Sequence, residues 1–91
     1  MWLEDIAQLP NPSLRVTETI WCIVKHLDVN NFVAEMPGAN IRAAGDSLSE
    51  AKENLADIIA GTYWLFDSLP PESLGPEPTR QLSILKRHLS E

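Results

Sequence analysis

Basic charge is scarce in this chain: seven Lys and Arg stand against thirteen Asp and Glu over 91 residues, a formal net charge of −6. Indiscriminate binding to phosphate backbones or anionic lipid needs a dense positive field, so direct nucleic-acid or membrane-surface binding is not expected and a basic protein partner fits better. Long apolar runs are missing too. The longest, Ile58 to Phe66, is interrupted by Gly61 and falls far short of the roughly 20 residues that span a bilayer. Glu4 and Asp5 stand where the positive region of a secretory signal would lie, and a cytoplasmic protein is the expectation.

Cysteine is reduced to Cys22, which excludes an internal disulfide; flanked by Trp21, Ile23 and Val24, it reads as a buried small hydrophobe rather than a reactive thiol. One Cys with His26 and His88 cannot close a zinc tetrahedron. Cys22 and His26 on one strand would stand about 13 Å apart, too far to share a proton. The glycines Gly38, Gly45, Gly61 and Gly75 are scattered, which excludes a glycine-rich nucleotide loop. Among carboxylates, Glu18, Asp28 and Glu35 are the only set worth testing as Mg²⁺ ligands for phosphodiester cleavage. Asp28 belongs to a turn and Glu35 to the wet face of a strand, so solvated acids are the reading. No catalytic residue, cofactor or metal is expected.

What is present is the material of one small domain: 10.2 kDa, 44% hydrophobic and 22% charged. A chain of this size buries roughly 64% of its extended surface, enough for one modest core. Residues 1–12 read as a helical turn or lead-in arm ending at Pro10 and Pro12. From Leu14 to His26 the β-branched and aromatic residues predict a long first strand. Ile20, Cys22 and Val24 share one face and Trp21, Ile23 and Lys25 the other, so this strand is either central in its sheet or covered by a second layer. Asp28, Asn30 and Asn31 supply turn chemistry. Phe32 to Met36 then alternates as an antiparallel partner, Pro37 and Gly38 end it, and Asn40 to Ala44 fits a short third strand.

Ser47 with Glu50 three residues on is a capping box. Leu48, Ala51, Leu55, Ile58, Ile59, Thr62 and Leu65 or Phe66 follow at helical spacing, predicting about five turns with one face on the sheet. The opposite face carries Glu50, Glu53, Asp57 and Trp64, and that Trp needs cover from its own chain or from another. Pro70, Pro71, Gly75, Pro76 and Pro78 read as a stiff linker over residues 70–78, between a domain at 1–69 and a last helix at 79–91 capped by Thr79. Leu82, Leu85 and Leu89 line one side of that helix and are candidates for self-association. From Glu77 onward three basic residues meet two acidic ones, against four and eleven before it, so this tail suits docking on an acidic body.

Phe32, Ala34, Pro37, Gly45, Asp46, Ser47, Glu50, Ala51, Asn54 and Leu55, taken together, resemble the HicB-like antitoxin family over roughly Thr19 to Asp67. The resemblance implies an α+β domain with a partial RNase H-like β-β-β-α fold: a three-stranded antiparallel sheet under one long helix, without catalytic carboxylates. It further implies a protein that binds and masks a small basic toxin, an mRNA-cleaving ribonuclease, and that forms dimers or tetramers. On that reading Glu50, Glu53, Asp57 and Trp64 are the expected partner-binding residues. Two features depart from the family pattern. Its Gly-Cys after the Pro turn is replaced by Gly38-Ala39-Asn40, and its ribbon-helix-helix or helix-turn-helix segment is replaced by one short helix with three basic residues. The alternative is a solitary HicB-like homo-oligomer of regulatory or ligand-binding role.

Overall fold

Trp2, Glu4 and Ile6 alternate with Leu3 and Asp5 at the period of a strand rather than a helix. In the computed structural model, which describes residues 1–91, the segment expected as a lead-in arm is accordingly strand β1, Trp2–Ile6. The long strand expected next divides into β2 (Arg15–Val16) and β3 (Ile20–Asp28). Strands β4 (Asn31–Met36) and β5 (Ile41–Gly45) follow within a residue of their expected bounds. The main sheet runs in the order β1-β3-β4-β5, with every neighbouring pair antiparallel. It therefore holds four strands, not three, because β1 pairs along the β3 edge from Trp2 opposite Val24 to Ile6 opposite Ile20.

Each turn has a local cause. Asp28 Oδ1 accepts from the Val29 amide at 2.7 Å and Asn30 adopts φ 57°, a left-handed conformation that Asn tolerates. After β4, Pro37 precedes Gly38 at φ 84° and the Ala39 amide donates to the Met36 carbonyl at 3.3 Å, the chemistry of a type II turn.

Helix α1, Leu48–Ser68, starts where the capping box places it: the Glu50 amide donates to Ser47 Oγ at 3.1 Å. The Glu50 carboxylate accepts in return from the Asp46 amide at 3.0 Å. The helix lies across one face of the sheet, with Ala51, Leu55 and Ile59 fully buried above Cys22, Val24 and Ala34. Alanines at 34, 43 and 51 let helix and strands approach closely, and burying a side chain such as Leu55 or Ile59 contributes about 1.5–3 kcal/mol each. Charge on the covered face is matched: Glu4, on the helix side of β1, meets Lys52 Nζ at 3.1 Å. The Asn54 amide donates to the Ala44 carbonyl at 2.8 Å, fastening α1 to β5.

The proline-rich segment is shorter than expected. One 3₁₀ turn, Pro71–Ser73, precedes helix α2, Pro76–His88, which begins three residues before Thr79. Pro76 occupies the first helical position, where an amide hydrogen has no helical acceptor and a fixed φ is an advantage; Gly75 is the cap, and its carbonyl receives the Thr79 amide at 3.1 Å. The tail closes with strand β6, Leu89–Ser90, antiparallel to β2. No helix is long and apolar enough to cross a membrane.

Candidate functional site

Helical spacing puts Glu53 and Asp57 one turn apart on α1, and both are exposed. The chain's ion pairs are Arg42–Glu35, Lys52–Glu4, Arg80–Glu77 and Lys86–Asp67; Glu53 and Asp57 belong to none of them. Like charges at this spacing repel by about 0.2–0.5 kcal/mol in an isolated helix. Glu50, also exposed, is committed to the helix start.

Across from these carboxylates runs the segment that leaves β1. Gln8, Leu9 and Pro10 form one wall, and Glu53, Ala56 and Asp57 the other, of a depression of about 360 Å³. A smaller one of about 210 Å³ adjoins it, bounded by Asp5, Gln8, Lys52 and Glu53. Ala56 is the small residue of the α1 wall and leaves room for an incoming side chain. An arginine or lysine stem laid along Leu9 and Ala56 would bring its charged head to Glu53 and Asp57. The wall at residues 8–10 has no sequence signature beyond the Pro10 stop.

Trp64 is half-buried against the core of its own chain, its ring edge-on to Tyr63 with centroids 5.3 Å apart. Its indole Nε1 is buried without an acceptor. It is covered intramolecularly and does not project beside Glu53 and Asp57 as a free anchor.

The leucines proposed for self-association also turn inward. Leu85 and Leu89 are 0% and 4% exposed within one chain, and Leu82 packs partly buried on the same core. The nearest cover for the apolar side of α2 is the end of α1, where Lys86 meets Asp67 at 3.0 Å. That hydrogen bond and charge hold the Lys86 ammonium above its ordinary range. Gln81 reaches the Ala39 carbonyl at 2.8 Å and Arg80 the Gly38 carbonyl, so α2 is also fastened to the β4–β5 turn. At its start, Arg80 forms a two-pronged pair with Glu77, lowering that carboxyl's pKa.

The remaining reactive side chains are dispersed. Cys22 is fully buried, and burial pushes its thiol up, with Lys52 opposing and Glu4 and Asp5 adding. His26 is exposed and stacks on Phe32 with centroids 4.2 Å apart. His88 Nδ1 lies 3.1 Å from the Glu18 carbonyl. Glu35 pairs with Arg42 at 3.3 Å while Asp28 serves its hairpin, and no three His, Cys, Asp or Glu side chains gather into a group that could hold a metal ion. Compared with known proteins, the chain matches no family model, no curated protein and no solved structure.

Proposed function

We propose that this chain is a noncatalytic, HicB-like antitoxin-type protein that binds a small basic ribonuclease and masks it by occlusion. The observation that carries the proposal is the pair Glu53 and Asp57, exposed, mutually repelling and unpaired with any cation of the chain, at the rim of an open depression of about 360 Å³. A partner's Arg or Lys would relieve that repulsion on binding, and complementary charge would speed the encounter. The capped β-β-β-α succession supports the reading by placing Gly45, Asp46, Ser47, Glu50 and Asn54, residues of the family resemblance, at the junction of β5 and α1.

The test is affinity purification of the tagged chain from its native cell, with mass spectrometry and light scattering on the eluate. The expected result is a stoichiometric small basic protein, released by salt and lost when Glu53 and Asp57 are both changed to Lys, whose RNA cleavage is suppressed by the wild-type chain. Retention of that protein by the doubly reversed variant, or a purified chain with no partner, overturns the proposal. The second reading, a solitary homo-oligomer, is favoured by one observation: Trp21 remains 53% exposed and Leu3 66% exposed on the uncovered side of the sheet.

A further inference from the structure

The two edges of the main sheet are treated differently by the chain. At β5 the edge is occupied: the Ala44 carbonyl accepts from Asn54, and the Ala39 and Asn40 carbonyls at the entry to the strand accept from Gln81. At β1 nothing plays that part. An edge strand turns the N–H and C=O groups of alternate residues away from its ladder. Apart from the pairing with β3, no backbone group of Trp2–Ile6 bonds to the rest of the chain.

Three depressions follow one another beside this open edge. The first, of about 290 Å³, is bounded by Glu4, Ser49 and Lys52; the other two are those described above, which continue to Asp57 and Pro10. Glu53 lines all three, so they form one groove, along which residues 4–10 and the first half of α1 run side by side in the same direction. Asp5, whose side chain leaves the sheet on the face away from α1, still borders the middle depression with Lys52 and Glu53. The groove therefore reaches the edge of the strand itself. We infer that an extended, basic segment of a partner protein lies here as a fifth strand on β1, its alternate Lys or Arg side chains turned up to Glu53 and Asp57. The inference rests on the basic partner proposed above and supplies the means by which that partner is held.

Spacing and charge both select this occupant. Alternate side chains on one face of a strand are about 6.6 Å apart, and residues four apart on a helix rise about 6 Å, so two cations separated by one residue match Glu53 and Asp57 in turn. In strand addition the backbone bonds supply affinity and the alternate side chains supply specificity. The groove carries Glu4, Asp5, Glu53 and Asp57 against Lys52 alone, whose ammonium already meets Glu4 at 3.1 Å. A second copy is rejected by the same charges: pairing β1 with β1 would bring another Glu4 and Asp5 to this acidic edge, the usual defence of an open strand against its own kind.

The test is titration of the full chain, up to about 1 mM ligand, with a capped octapeptide of alternating Lys and Val, followed by calorimetry and amide exchange. The octapeptide is expected to bind and to slow exchange at alternate amides of β1. A second octapeptide of the same composition, with its lysines in one block, should bind more weakly and leave those amides unprotected. Asp57→Lys should weaken binding about 2- to 30-fold, whereas Glu72→Lys, the same change of charge on the exposed 3₁₀ turn, should leave it unaltered. No binding, equal binding of the two octapeptides, binding without protection of β1, or equal loss with Glu72→Lys overturns the inference. A basic partner captured from the cell through Glu53 and Asp57 that leaves β1 exchanging freely overturns the added strand but not the proposed function. Protection of β1 by the alternating octapeptide, with no basic partner in the cell, supports the edge site and overturns that function.

Discussion

The backbone of Ala51 lies directly against Gly45: a Cβ placed on Gly45 would stand 2.9 Å from the Ala51 Cα and 2.8 Å from the Glu50 carbonyl carbon. Backbone cannot swing aside as a side chain can, so Gly45→Ala must push the first turn of α1 off the sheet. A loss of about 1–3 kcal/mol is expected, read as a drop of about 4–8 °C in Tm per kcal/mol for a domain of this size. An unchanged Tm would show that helix and strand are not seated this closely.

Asp57→Lys separates binding from stability. It removes the repulsion from Glu53 and creates a Glu-to-Lys pair in the favoured orientation, together about 0.4–1 kcal/mol of stabilisation or about 2–8 °C in Tm. Partner capture should fall while thermal stability rises. A fall in both would mean that Asp57 supports the fold.

Leu85→Ala is expected to cost about 2–5 kcal/mol, because the residue is fully buried where α2 meets the core. Light scattering should show no change in assembly from this substitution when measured well below the melting temperature. Dissociation of a dimer without loss of stability would return Leu85 to a role between copies.

Alkali should loosen the fold. Burial raises the Cys22 and Tyr63 pKa values, and the Asp67 hydrogen bond raises that of Lys86. The folded chain thus keeps protons that the unfolded chain releases. Their stabilisation is complete below pH 9.0, the ordinary thiol value, and is lost as pH rises through the raised folded values. Tm should be level from pH 7 to about 9 and fall above it. Cys22→Ala should lower Tm at pH 7 through the cavity it leaves, yet delay the alkaline decline. A decline already under way at pH 8 would contradict this assignment.

The parts of the fold legible in the sequence are those specified by neighbours in the chain. Ser47 and Glu50 announced the start of α1, Asp28 and Asn30 the hairpin, and Pro37 with Gly38 the end of β4. β1 was not legible because five residues containing adjacent acids become a strand only when the β3 edge is available to pair with them, some 20 residues away. Pro76 and Pro78 read as breakers, but proline is excluded from helix interiors and accepted in a first turn. At the site, the spacing of Glu53 and Asp57 was sufficient to place both carboxylates together. The cover over Trp64 and the wall at Gln8, Leu9 and Pro10 depend on tertiary contacts that no local pattern encodes. The two apolar faces of β3 were legible as those of a strand either central in its sheet or covered by a second layer, and it is central, between β1 and β4.

The His88 carbonyl accepts from the Thr17 amide at 2.7 Å and the Glu18 amide at 3.3 Å, and Thr17 Oγ1 adds a third donor at 3.2 Å. These bonds join residues 71 positions apart in the case of Thr17, so the loop they close is nearly the whole molecule. Closing so long a loop is entropically costly until the ends are held by other contacts. The hairpin of β3 and β4, with α1 laid on it, can form from near neighbours first; the clasp at His88 is then the last step of folding and the first to release. In amide exchange, Thr17 and Glu18 should therefore lose protection while Val24 and Ala34 still hold theirs.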